Sequence, residues 1–469
     1  MHSASIDPSS WVHVGAIIGN GPSVLLPNIR SFSVQFMDTS EVPPMRILLS
    51  PSVSEISLKQ NPGANTFNGI ESHKAQQAAV ERLLLEAVSV APGMNSFKLI
   101  CDRRPLSSRM ASILARASSL RTLDLWFYAM EVLRPSGGGV VSVEDAFADD
   151  MNTFLEAFRQ LHPLQKLETL ILTNDMIKDS VIISDSTNAP PTPFLPRLRE
   201  LVISPGRPPL KLVPIFRFLR SAELQRLAIN KLYHGDASAM RQLYTTMVRS
   251  FPSLSSVELT ITRPPHTLPD LAEVAPLRRA LAPLFQLASL VSVVIKQGSI
   301  TPPVTVADED VDVISTSWPR LQFLSLSGLE QERTPNGRRL LSISSLISLA
   351  TGCPQLKRLT LPLVDLRARS IQPVHTYPVL DHPLHCLALG RMASDDCSSA
   401  ARILDRLFPH LDVTSPLLKL SARAAGPQTT AEALRRSGWG PLSEYNLSLA
   451  IATCQDARRE DPWLSFATY

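Results

Sequence analysis

Apolar residues recur along this chain in one short phrase. It is clearest as Leu356, two polar residues, Leu359, one polar residue, Leu361. Leu359 and Leu361 are two apart, so a strand places them on one face and Thr360 on the other. Leu356 points the same way while the chain is still turning in. Pro354 marks the turn, and Leu346, Ile347, Leu349 and Ala350 ahead of it fit a short helix packed behind the strand. One such unit leaves its apolar face open and needs copies of itself on both sides.

The copies run through most of the chain. From the start they are Ile29–Phe32–Val34, Val53–Ile56–Leu58, Met94–Phe97–Leu99 and Leu120–Leu123–Leu125. Leu167–Leu170–Leu172, Leu198–Leu201–Ile203, Leu224–Leu227–Ile229 and Leu254–Val257–Leu259 follow. Leu290–Val293–Ile295, Leu321–Leu324–Leu326 and Leu384–Leu387–Leu389 complete the set, with Leu411 and Val413 as a degraded last copy. The step is uneven, shortest from Ile29 to Val53 and longest from Leu120 to Leu167. The pattern predicts an α/β fold: a parallel sheet through Phe97, Leu123, Leu170, Leu201, Leu227, Val257, Val293, Leu324, Leu359 and Leu387 in sequence order, with helices outside. Strands stack ~4.8 Å apart and helices ~10 Å apart, so such a stack curves with the sheet inside.

Helical periodicity between the phrases predicts helices over Lys74–Val90, Leu106–Ala117, Val143–Leu161, Val213–Leu219, Ser238–Phe251, Leu271–Leu284 and Ser398–Phe408. Pro135–Gly139 and Asn188–Pro193 read as loops. Residues 1–25 form a loose N-terminal segment, 26–415 the repeat array, and 416–469 a C-terminal cap with helices over Ala431–Trp439 and Glu444–Arg459. A polar-sided terminal unit is what a repeat stack needs to close its exposed end.

Composition fits this picture. A chain of 469 residues exceeds the ~250–300 at which one core stops growing, but a stack of repeats escapes that limit. The 39 prolines, with 44% hydrophobic residues, mean many short turns rather than disorder. A formal charge of +4 with scattered arginine pairs lacks the basic stripe of a nucleic-acid binder. No apolar run approaches the ~18 residues of a membrane helix. The five cysteines show no framework spacing, and the N-terminus lacks a signal-peptide pattern, which points to a reducing compartment, cytoplasmic or nuclear.

No phosphate loop, nucleophile elbow or zinc-protease motif occurs, so no enzyme and no cofactor are expected. His382, His385 and Cys386, with Asp395, Asp396 and Cys397 after them, are metal-ligand types. His385 and Cys386, as consecutive strand residues, would face opposite ways, and the stretch reads as a repeat strand with no metal.

The outward strand positions are the candidate binding surface. They are small and mixed in sign, with a few larger groups. Asp124, Trp126, Ile171, Glu200, Arg226, Glu258, Phe323 and Arg358 are the residues expected to meet a protein partner, since aromatics and arginine are the usual anchors of an interface.

The repeated Pro-x-Leu-x-x-Leu-x-Leu phrase after a short helix resembles a leucine-rich repeat, and its uneven step resembles the fungal F-box/leucine-rich-repeat proteins. Leu25-Leu-Pro-Asn-Ile-Arg-Ser-Phe32 and Leu48-Leu-Ser-Pro-Ser-Val-Ser-Glu-Ile-Ser-Leu58 resemble their first repeats, and Ala401-Arg-Ile-Leu-Asp-Arg-Leu-Phe-Pro409 their last helix and turn. The resemblance implies an irregular leucine-rich-repeat solenoid, acting as a monomer, that recognises the substrate protein of an F-box-type ubiquitin ligase. The alternative is a stand-alone repeat scaffold. The family's F-box pattern is not found ahead of Ile29, so the ligase adaptor is an expected partner only if such a segment exists elsewhere. The asparagine that often follows the strand is mostly absent, with Asp175 after Leu172 and Leu232 after Ile229, which implies turns of varied form.

Overall fold

The structure is a computed structural model. It describes residues 28–36, 50–60, 70–102, 106–128, 156–174, 194–204, 212–233, 237–262, 275–297, 304–331, 333–334, 337–338, 340–367, 372–393, 396–412 and 450–456. The chain divides into two compact units, one of Met1–Arg207 with Pro214–Leu227, the other of Pro208–Val213 with Ala228–Tyr469.

The first unit carries β1 (Ser31–Phe36), β2 (Glu55–Gln60), β3 (Ser96–Asp102), β4 (Thr122–Tyr128), β5 (Thr169–Asn174) and β6 (Glu200–Ser204). β7 (Arg226–Tyr233) begins in it. The second unit continues with β8 (Ser256–Thr262), β9 (Ala275–Pro276), β10 (Ser292–Gln297), β11 (Val304–Val306) and β12 (Phe323–Ser327). It ends with β13 (Glu330–Gln331), β14 (Arg333–Thr334), β15 (Gly337–Arg338), β16 (Arg358–Asp365) and β17 (Cys386–Ala393). Twelve of these strands form one open sheet in the order β1-β2-β3-β4-β5-β6-β7-β8-β10-β12-β16-β17. Every pairing whose register is resolved in that sheet is parallel. One parallel strand per phrase, in sequence order, is the architecture of a leucine-rich-repeat solenoid.

The register follows the phrase. In the first unit Phe32 lies beside Ile56, Ile56 beside Phe97, Phe97 beside Leu123, Leu123 beside Leu170 and Leu170 beside Leu201. In the second, Val257 lies beside Val293, Val293 beside Leu324, Leu324 beside Leu359 and Leu359 beside Leu387. From Ile56 on, these residues are at most 4% exposed. A fully buried leucine contributes about 1.5–3 kcal/mol relative to an exposed one, so a one-residue slip would forfeit a whole row.

A single backbone device joins the repeats. In most phrases the residue after the first apolar position offers its carbonyl to two successive N–H groups of the next repeat. Arg30 accepts from Ser54 and Glu55, Asn95 from Arg121 and Thr122, and Arg121 from Glu168 and Thr169, at 2.8–3.0 Å. In the second unit Ser255 accepts from Val291 and Ser292, Val291 from Gln322 and Phe323, and Gln322 from Lys357 and Arg358, at 2.7–3.1 Å. His385 accepts from Asp412 at 2.7 Å, so the degraded copy at Leu411 still takes its place in the ladder.

The turn that feeds each strand is equally regular. The N–H of Leu198 donates to Leu195, that of Leu254 to Phe251, that of Leu321 to Trp318, and that of Leu356 to Cys353. Proline follows the accepting residue in all four, where its fixed φ suits the turn and no donor is lost. The accepting residue is itself buried, and Phe251, Trp318 and Phe408 are among the largest fully buried side chains. In the second unit these anchors also bond back to the preceding repeat. Trp318 Nε1 donates to the Leu284 carbonyl at 3.3 Å, Cys353 Sγ lies 3.5 Å from the Trp318 carbonyl, and His382 Nε2 lies 3.0 Å from the Cys353 carbonyl.

Helices form at Ile70–Val90, Ser108–Leu114, Leu212–Leu219, Ala237–Ser250, Ile343–Gly352 and Cys397–Leu407, matching the expected positions within a few residues at their ends. The helix expected over Leu271–Leu284 is not continuous. Ala275–Pro276 is strand β9, Leu277–Ala280 is one α-turn, and Ala282–Gln286 is 3-10. Pro276 and Pro283 lack N–H donors and break the helix at both points. The helix Asp308–Ser317 has no counterpart in the apolar periodicity. Its signal is the acidic first turn Asp308, Glu309 and Asp310, which suits the positive helix N-terminus. Buried Asp310 accepts from the Ala307 and Arg278 N–H groups at 2.7 Å and from the Arg278 guanidinium at 3.2 Å. Asp308 accepts from Ser342 N–H and Ser345 hydroxyl, and Asp312 from the Ser348 hydroxyl, tying this helix to Ile343–Gly352. Gly352 makes the approach possible, since a Cβ there would lie 2.7 Å from the Ser315 carbonyl.

A second, unforeseen parallel sheet of β13-β11-β9 lies in the same unit, and β14 and β15 form a short antiparallel pair. Pro135–Gly139, Asn188–Pro193, residues 1–25 and Ala431–Trp439 lie outside the described residues. So does Val143–Leu161 before residue 156, and the 416–469 segment except for a helical stretch over 450–456. Among the described residues no helix is long and apolar enough to cross a membrane.

Two stability predictions follow from this packing. Leu324→Ala should cost about 2–5 kcal/mol in urea denaturation, whereas Phe323→Ala beside it should stay near the ~0.5 kcal/mol of ordinary surface changes. Equal losses would place the register one residue off. Asp396 caps Cys397–Leu407 by accepting from the Ser398 and Ser399 N–H groups at 3.0 and 3.1 Å, and its bonds to Ser399 hold its carboxyl below the usual range. Asp396→Ala should therefore cost about 1 kcal/mol at neutral pH. The depressed carboxyl stabilises the fold above its unfolded pKa of about 3.9, so the gap between wild type and variant should close as pH falls below about 4. A gap unchanged at low pH would assign the loss to something other than the charged cap.

Candidate protein-binding face

Alternation along each strand decides what faces away from the core. In the first unit, β3 to β6 bury Phe97, Leu99, Leu123, Leu125, Leu170, Leu172, Leu201 and Ile203. The residues between them must face outward. Register then sets their neighbours: Lys98 lies beside Asp124, Asp124 beside Ile171, and Ile171 beside Val202; Ile100 lies beside Trp126 and Trp126 beside Thr173.

The tightest cluster on this face is Lys98, Asp124 and Trp126. Lys98 Nζ is 2.7 Å from the Asp124 carboxylate and sits over the Trp126 ring, 5.0 Å from its centroid. Trp126 Nε1 donates to the other carboxylate oxygen. Asp124 is thereby buried beneath its neighbours, and its side chain holds the other two in place rather than standing free. Trp126, Ile100, Ile171 and Val202 are all half-buried, leaving apolar edges open around one fixed aromatic ring. Glu200 and Arg226 form a cross-strand pair at 3.0 Å, and Thr169 Oγ1 lies 3.5 Å from Glu200.

The outward face of the second unit has a different character. Glu258 is held by Lys296 at 2.6 Å. Around that pair the positions are mostly hydroxyls: Ser256, Thr260, Ser292, Ser325, Ser327 and Thr360. Half-buried Phe323 lies between Ser292 on one side and exposed Arg358 on the other, and Arg358 is followed by Cys386 on β17. Small side chains in mid-row, Val294, Ser325 and Cys386, are buried although they alternate with the core positions.

The expected residues thus separate into groups. Asp124, Trp126 and Ile171 lie together, with Glu200 and Arg226 as a neighbouring pair. Glu258, Phe323 and Arg358 belong to the other unit. Sequence reading had left out Lys98 and Ile100 because the outward row was traced only from β4. The signal was there, since Lys98 stands between Phe97 and Leu99.

The His382–Cys386 stretch is built into the core instead of a metal centre. His382 is buried, its ring is edge-on to Phe408 at 5.4 Å, and burial pushes its pKa down. His385 is exposed at the mouth of β17, and Cys386 is buried on the strand. Among the described residues no group of three or more His, Cys, Asp or Glu side chains is arranged to hold a metal.

No protein-family model matches the chain, and no curated protein sequence does. Among solved structures it is similar to an internalin, inlF, from Listeria monocytogenes, at 14% identity over 87% of this chain and 94% of that one, with a TM-score of 0.38. It is also similar to a chain of the Rad7 and Elc1 complex from yeast, at 13% identity over 81% and 88% of the two chains, with a TM-score of 0.34. At such values neither likeness speaks to function, which has to be read from the face itself.

Proposed function

We propose that the outward strand face binds protein, and that the chain serves as the substrate-recognition part of an F-box-type ubiquitin ligase. The observation that carries the binding reading is the clasp on Trp126. A large aromatic surface is kept half-exposed on a rigid strand, its indole N–H already bonded and its ring covered from one side by Lys98. An anchor fixed in advance loses little conformational freedom on association. The surrounding charges of the first unit, Asp124, Glu200 and Arg226, are bonded to one another or to Lys98, so the face presents apolar edges among satisfied ions. The ligase reading rests on the resemblance of the first two repeats and the last helix to that family. A stand-alone scaffold would use the same face without a ligase.

Trp126→Ala is expected to weaken binding of a partner recovered from native cell extract by about 2 kcal/mol, measured by titration of that partner, while costing less than about 1 kcal/mol in urea denaturation. Full affinity in the variant would move the binding site off this face. Deleting the gene should raise the cellular level of the partner and reduce its ubiquitination. An unchanged level and pattern would favour the stand-alone scaffold.

A further inference from the structure

We propose that the second unit's outward face, around Phe323 and Arg358, docks an acidic segment of a partner protein with apolar residues among its carboxylates. This rests on the protein-binding reading and adds the chemistry of the partner.

The starting point is charge. On the first unit's face Lys98 is bonded to Asp124 and Arg226 to Glu200, and on the second Lys296 is bonded to Glu258. Around Phe323 this cancellation stops. Arg320, Lys357 and Arg358 are all exposed, and none of the three side chains has an ion-pair or hydrogen-bond partner among the described residues. The next carboxylates along the chain are engaged with other groups: Asp365, at the far end of β16, is clasped by Arg367, and Asp381 lies 2.8 Å from His410. The polar neighbours that remain, Ser292, Ser325 and Thr360, are neutral.

Geometry gathers these groups. Phe323 and Arg358 are register partners on adjacent strands, so their Cα atoms lie ~4.8 Å apart. Lys357 precedes Arg358, and its N–H bonds to the Gln322 carbonyl, which fixes it beside the residue before Phe323. Arg320 lies in the Pro319 turn leading into the same strand. The result is one half-buried aromatic ring beside Arg358 on the next strand, with Arg320 and Lys357 where the chain enters these two strands, and none of the three cations is paired among the described residues. A segment alternating acidic and apolar residues supplies both complements: carboxylates for the cations and an aliphatic or aromatic side chain for the ring.

Nucleic acid fits less well. Three cations are few against the 6–10 phosphate contacts of a protein that depends on counterion release, and the neighbouring positions are hydroxyls rather than a basic stripe with stacking aromatics.

The test uses fluorescence anisotropy at physiological ionic strength. Three fluorescein-labelled probes are compared: a short glutamate- and aspartate-rich peptide with interspersed leucine and phenylalanine, its lysine-rich counterpart, and a single-stranded oligonucleotide. The acidic peptide should bind best. Arg358→Glu should weaken it about tenfold or more and Phe323→Ala about tenfold, while Arg116→Gln, at an exposed position of the first unit, should leave it unchanged. Arg358→Gln, with a smaller loss, guards against misfolding of the charge-reversed variant, and each variant's urea midpoint confirms that it is folded. Preference for the lysine-rich peptide, with binding lost on Phe323→Ala, overturns the acidic partner but leaves a protein-binding face. Equal binding of the oligonucleotide, indifferent to Phe323→Ala, overturns it in favour of a plain phosphate site. Binding of no probe overturns the acidic docking site, and full partner affinity in Trp126→Ala separately overturns the broader reading.

Discussion

The structure depends on a forked hydrogen bond: within each unit, one carbonyl at the mouth of a strand accepts two consecutive N–H groups from the next repeat. Two donors on one oxygen fix the direction as well as the distance of the incoming chain. The first outward side chain of each strand therefore starts from a set position. Everything further along, the buried rows and the outward rows alike, inherits its alignment from that point. The short turn before each of these strands, with proline after its first residue in several of them, brings the chain to the fork, and the buried residue that opens the turn keeps it there.

This explains which parts of the molecule were legible in the residues. Leu356, Leu359 and Leu361 reveal a strand, its face and its sense because an apolar row of period two has one buried solution. Repeating the phrase reveals the order of strands, since each copy needs the next. The failures have equally physical causes. The helix Asp308–Ser317 buries only a few apolar side chains, Val311 and Ile314 among them, and is held instead by carboxylates reaching backbone and serine groups on other segments. Apolar periodicity cannot report such bonds. The broken stretch around Leu277 carried a leucine spacing that fits a helix, but prolines at both ends overruled it.

The face was legible as a row of outward residues but not as a set of contacts. Whether Asp124 stands free or is buried under Lys98 and Trp126 depends on the rotamer of a residue on its own strand and on what lies on the adjacent strand, which comes from another repeat. Asp124 is an acidic outward residue in the sequence; in the fold it is the peg that orients an indole and an ammonium group. The pairs Glu200–Arg226 and Glu258–Lys296 arise in the same way. Surface pairs of this kind add little stability, typically below about 1 kcal/mol. Their effect here is to remove most of the face's own charges from competition, which makes Arg320, Lys357 and Arg358 stand apart.

Because neighbouring repeats are fastened at the mouths of their strands, the length of chain returning to the next fork is almost free to vary. Doubling such a return costs only about 0.6 kcal/mol in closure entropy. The distance from Leu120 to Leu167 can then be nearly twice that from Ile29 to Val53 with no change in how the strands pair. Over evolutionary time such a chain can gain or shed whole segments behind its strands, each a trial of new surface, while the rows already in use stay in register.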